Sequence, residues 1–93
     1  MNAQVIEVAK RIADIALDDY AKTFLKVVSY DYERIYMEGF NKDDENFYKV
    51  MISTKAIDET KLKYIVYEEY EDVFGGGLNK VYEGEIKYNT LGI

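Results

Sequence analysis

The stretch 62-LKYIVYEEYEDVFGGGLNKVYEGEIKY-88 decides the fold. Its two ends, 62-LKYIVYEEY-70 and 80-KVYEGEIKY-88, are rich in Tyr, Ile and Val and partly alternate in polarity, as half-buried strands do. Between them, 71-EDVFGGGLN-79 has the glycine content of a loop. The reading is a hairpin whose arms are acidic and aromatic and whose glycine-softened tip carries Phe74 and Leu78.

The same composition recurs toward the N-terminus. The run 24-FLKVVSYDYERIYMEGF-40 is built of strand formers and meets a polar turn cluster, 41-NKDDEN-46. In 47-FYKVMIST-54, Tyr48, Val50 and Ile52 alternate with Phe47, Lys49 and Met51, and 55-KAIDETK-61 breaks the run before the hairpin. Four strands joined by hairpin-length connections predict an antiparallel meander.

Residues 3–18 carry a helical period instead. Val5, Ile6, Val8, Ala9, Ile12, Ala13, Ile15, Ala16 and Leu17 fill one arc, opposite Glu7, Lys10, Arg11, Asp14 and Asp18, with Asn2 as N-cap. Asp18 and Asp19 stand where the helix dipole favours cations. Either the helix runs on through Tyr20, Ala21 and Phe24, or a new turn starts with Asp19 as its cap. The expected fold is one α+β domain spanning residues 1–93. Its N-terminal amphipathic helix packs on one face of a roughly four-stranded antiparallel meander sheet.

Composition removes several function classes. The chain has no cysteine and no histidine, so disulfides, thiolate chemistry and Cys/His zinc sites are excluded. A domain this small without disulfides fits a cytoplasmic setting. The N-terminal segment lacks the apolar core of a signal peptide, and no stretch reaches transmembrane length. The helix's polar face is mixed in sign, which argues against a membrane-surface role. Net charge is −6 and falls entirely after residue 30, because the acids and bases before that point cancel. Such a surface repels phosphate backbones, so direct nucleic-acid binding is not expected and a charge-matched partner would be basic.

Catalysis lacks its usual parts. Ser29 and Ser53 have no base partner in the sequence, and the expectation is a non-enzymatic protein without cofactor. Read as a calcium loop from Asn41, the cluster Asp43–Asp44–Glu45 puts Asn46 at the glycine position and Ile52 at the glutamate position, so the match fails. The glycine run continues into a strand without the Lys-Ser/Thr of a phosphate loop.

What remains is a surface. The ten tyrosines exceed ordinary usage, and tyrosine offers rigid area with a polar end, as interfaces favour. Strand parity puts Tyr64 and Tyr70 with Val66, and Tyr67 with Ile65, so aromatics lie on both faces of the sheet. Glu69 and Glu71 share one face, Glu68 and Asp72 the other, and Glu83 with Glu85 repeats the spacing on the next strand. The expected partner-binding set is Tyr67, Glu68, Glu69, Tyr70, Glu71, Asp72, Phe74, Leu78, Glu83 and Glu85, with the carboxylates gathered at one end of the hairpin. A charged edge strand has the same composition, since charge protects edges against aggregation.

With 68-EEYED-72, its tyrosine-rich sheet and its helix-plus-meander outline, the chain resembles the small acidic inhibitor proteins of phages and mobile elements, including the anti-CRISPR type. That resemblance implies a protein that blocks the basic, nucleic-acid-binding surface of a host enzyme such as a Cas effector. Two other readings stay open: a homodimeric structural or adaptor module using an exposed tyrosine face, and a small enzyme or carrier, which would require a pocket.

Overall fold

The computed structural model describes residues 3–31 and 33–92, with side chains inside the first helix from Glu7 onward. Asn2, Tyr32 and the side chains of Val5 and Ile6 lie outside the described residues. The order of elements is helix α1 (Ala3–Ala16), a single helical turn α2 (Asp19–Lys22), strands β1 (Lys26–Asp31), β2 (Arg34–Asn41), β3 (Asn46–Ala56), β4 (Lys61–Asp72) and β5 (Gly75–Lys87), and a 3₁₀ turn (Tyr88–Leu91). The strands form one antiparallel meander in the order β1-β2-β3-β4-β5.

The sheet has five strands where four were expected. The run 24–40 divides between Asp31 and Arg34, which face each other across the tight β1–β2 connection. No glycine, asparagine or proline marks that break, so composition alone hides it. Two strands carry an extra residue: Val28 in β1, between the Val27–Met37 and Ser29–Tyr36 pairs, and Val81 in β5, between the Tyr82–Val66 and Lys80–Tyr67 pairs. Each is a β-bulge, and each leaves its valine about half exposed.

One face of the sheet is covered. Ile35, Met37, Val50, Ile52, Leu62, Val66 and Ile86 form its apolar surface and meet Ala9, Ile12, Ala13 and Ala16 of α1, with Leu17 just beyond its end. Three of those four helix residues are alanines, which let the helix axis approach the strands closely. The opposite residues Glu7, Lys10, Arg11 and Asp14 face water, as the period requires. Ile15, placed in the apolar arc by its spacing, is instead largely exposed.

The helix does not cover the face alone. Asp18, not Asp19, caps α2: its Oδ1 accepts from the Ala21 backbone N–H at 2.7 Å. The uncertainty about residues 19–24 thus resolves as a break and a fresh turn, which carries Leu25 into the core. Tyr20 ties that turn to the β2–β3 hairpin, accepting from Asn41 Nδ2 at 2.9 Å and donating to Asp43 Oδ2 at 2.9 Å. Phe24 packs edge-on to Tyr20 and tilted against Tyr48. At the other end, the segment after β5 forms the 3₁₀ turn, and its Leu91 is fully buried. The Arg11 guanidinium donates to the Leu91 carbonyl and locks the C-terminus to α1.

Leu91 therefore acts as a core residue, not an appendage. Leu91→Ala should destabilise the domain by about 2–5 kcal/mol, the range for truncating a fully buried leucine. A urea titration followed by far-UV circular dichroism measures this, and an unchanged midpoint would contradict the packing described.

Candidate protein-binding surface

The β3–β4 ladder ends at the Val50–Glu68 pair, while β2–β3 continues to Asn41–Asn46 and β4–β5 continues to Asp72–Gly75. Past that pair the sheet parts into two two-stranded ribbons. The β4–β5 ribbon has four further rungs, Glu69–Leu78, Tyr70–Gly77, Glu71–Gly76 and Asp72–Gly75, and so projects about 14 Å at 3.4 Å per residue.

The glycine run is consequently strand, not loop, and the loop expected at 71–79 contracts to Val73 and Phe74. Asp72 Oδ1 accepts from the Phe74 N–H at 2.8 Å, and Gly75 has φ +119°. Aspartate first and a positive-φ glycine last are what this tight turn requires, so Val73 and Phe74 are free of structural duty. They are 92% and 95% exposed.

The remaining glycines have a different use. Tyr70 lies over Gly77, where an added Cβ would come within 2.7 Å of its hydroxyl. Tyr64 lies over Gly84 in the same way, with 2.6 Å to its hydroxyl. In both directly opposed pairs the missing side chain is the seat of a cross-strand ring. The relation is legible only once the register is known.

The expected partner-binding residues divide by face as parity requires. Tyr67, Glu69, Glu71 and Leu78 lie on the uncovered face, and Glu68, Tyr70 and Asp72 on the side shared with Val66. Glu83 and Glu85 do not join them. Register sets Glu83 opposite Ile65 and Glu85 opposite Lys63, in the other half of the hairpin. The physical reason is the length of the β4–β5 ladder, which runs the acids of β4 against Gly, Leu and Asn rather than against the acids of β5. Glu83 and Glu85 are also neutralised: Glu83 pairs with Lys63 at 3.2 Å and Lys80 at 3.6 Å, and Glu85 with Lys61 at 3.0 Å. Lys63, through its hydrogen bond and its charge, and then Lys80 hold the Glu83 carboxyl below the usual range. Glu68, Glu69, Glu71 and Asp72 have no ion-pair partner among the described residues.

The uncovered face also sets Tyr67 among residues outside the expected partner-binding set. Tyr36, Met51 and Tyr67 stand in one cross-strand row, Ser53 and Ile65 in the next, and Phe40 opposes Phe47 toward the β2–β3 tip. Met51 is only 8% exposed although no helix covers it, because its neighbours close over it. Between the ribbons lies a groove of about 720 Å³, whose lining includes Tyr36, Phe47, Lys49, Met51, Glu69 and Leu78. Alternation marked these positions as facing away from Ile52, but the groove depends on where the β3–β4 ladder stops.

No protein-family model, curated protein or solved structure matches the chain. Among the described residues no helix is long and apolar enough to cross a membrane, and no group of three acidic side chains could hold a metal ion.

The lysine pairs of Glu83 define an acid response. A lowered carboxyl pKa contributes stability that is complete above the ordinary glutamate range, about pH 4.3, and is lost as pH falls through the lowered value. Glu83→Gln should therefore reduce the urea midpoint at pH 7 and have no effect once the carboxyl is protonated. Midpoints of both proteins across pH 7 to about pH 2.5 test the sign.

Proposed function

We propose that the protein is a non-enzymatic binding module whose projecting β4–β5 ribbon blocks a basic, nucleic-acid-binding surface of an enzyme inside the cell. The supporting observation is the ribbon's end. Val73 and Phe74 stand almost wholly in water, at a turn whose geometry is met by Asp72 and Gly75 instead. Apolar residues with no packing role are explained by a partner that covers them. Around them, the unpaired Glu68, Glu69, Glu71 and Asp72 supply the charge that steers a basic partner and fixes its orientation. An anti-CRISPR protein acting on a Cas effector works in this manner, and that effector class is the first partner to try.

In this reading affinity and steering have separate sources. Phe74 buried in a partner pocket gives an anchor that salt does not weaken, whereas the four carboxylates give an on-rate that salt does weaken. Asp72 also holds the turn, so its charge is best removed as asparagine, whose oxygen can still accept from the Phe74 N–H.

A second reading rests on a different observation. The uncovered face carries Tyr36, Ile65, Tyr67, Phe40 and Phe47, the kind of aromatic and apolar side chains that seat a second copy. Light scattering decides it, since a strict monomer at millimolar concentration removes that reading.

For the principal reading, Phe74→Ala should leave the denaturation midpoint within about 0.5 kcal/mol of wild type and weaken partner capture at least about ten-fold. Glu68→Gln/Glu69→Gln/Glu71→Gln/Asp72→Asn should slow association and flatten its salt dependence. The measurement is surface plasmon resonance against purified nucleic-acid enzymes of the native host, Cas effectors included. A Phe74→Ala protein that unfolds, or that binds as wild type, overturns the anchor.

A further inference from the structure

The groove between the two ribbons has a chemistry of its own. Its floor is apolar and aromatic, from Met51, Tyr36, Phe47 and Leu78, and one wall carries Glu69 and Glu71. Along the strand those carboxylates are about 7 Å apart on one face, and neither has an ion-pair partner among the described residues. The opposite wall carries Lys49, whose neighbour across β2 is Glu38. Because β3 and β4 do not pair beyond Val50–Glu68, the groove is a cleft between strands, which suits a chain segment better than an enclosed small molecule.

The geometry points to an arginine-bearing segment of a partner protein as the occupant of this groove, a deepening that rests on the binding role of the β4–β5 ribbon. Arginine meets each part of the lining. Its methylene stem covers apolar floor while its head stays at the polar wall. The planar guanidinium stacks on the rings of Tyr36 or Phe47 and forks onto Glu69 or Glu71. Lysine shares the charge and the stem but lacks the plane and the fork. Acidic segments are repelled by the two carboxylates, and an apolar segment leaves them desolvated without partners. Lys49 opposes the arginine, which sets the sign of its substitution.

The test uses the full chain and three acetylated hexapeptides, of arginine, lysine and glutamate, titrated by ¹⁵N–¹H NMR. The arginine peptide should shift the amides of Lys49, Met51, Glu69 and Leu78 saturably and bind several-fold more tightly than the lysine peptide, with no binding of the glutamate peptide. Glu69→Gln/Glu71→Gln should weaken it about ten-fold, and Lys49→Gln should strengthen it, with the remaining spectrum unchanged. Shifts spread equally over the other acidic turns, at Asp43–Asp44 and Asp58–Glu59, would overturn the site. So would arginine and lysine affinities that are equal. Phe74→Ala removes no groove residue and should leave peptide binding intact. If it abolishes peptide binding, the cation sits at the tip and the groove is wrong. Loss of partner capture alone in Phe74→Ala leaves the groove standing and tests only the ribbon.

Discussion

Beyond the Val50–Glu68 pair β3 and β4 exchange no backbone hydrogen bonds, and the features of the candidate surface follow from that parting. Had the ladder continued, Glu69 and Glu71 would face β3 across the sheet, and the groove would be a filled strand interface. The hydrogen-bonding groups on that flank of β4 are instead left to water, which a narrow two-stranded ribbon permits and a sheet interior does not. Four rungs and a tight turn hold the ribbon in register, and Tyr70 seated on Gly77 adds a cross-strand contact where glycine adds none.

The covered face is built economically. A fourteen-residue helix supplies mostly small residues, so the sheet's own Ile, Val and Leu provide the apolar volume. The rest of the cover comes from two short pieces, α2 with Leu25 and the C-terminal turn with Leu91. Both are held by polar contacts that a one-helix outline omits: Tyr20 on Asn41 and Asp43, and Arg11 on the Leu91 carbonyl. Asn41 is the one buried polar residue among those described, and its amide oxygen also accepts from the Asp43 N–H at 2.9 Å, so it is satisfied where it lies.

Local pattern in the sequence was enough to read the α+β class, the helix and an antiparallel meander, short of one strand. It failed where the deciding information is tertiary. The Asp31–Arg34 break has no glycine, asparagine or proline to announce it, and Leu91 has no periodic neighbours to mark it as core. Three consecutive glycines read as a loop, because glycine's usual meaning is a turn. Here only Gly75 has that meaning, while Gly77 is a seat for Tyr70. Parity placed Tyr67, Glu69 and Glu71 correctly with respect to Tyr70 and Glu68. Parity says nothing about register, however, and register separated Glu83 and Glu85 from the other acids and assigned them to lysines. Exposure of Phe74 was readable as a possibility of composition, whereas its independence from the turn required the Asp72 hydrogen bond.

The bulges at Val28 and Val81 sit on β1 and β5, the two strands that have a neighbour on one side only. An unbroken outer strand offers its row of amide and carbonyl groups as a template on which another chain can crystallise into fibre. An extra residue shifts that row out of step and sharpens the local twist, so a foreign strand can follow it for only part of its length. In a protein that displays valine, phenylalanine and tyrosine to water, the two bulges limit the length of either rim that a foreign strand can pair with.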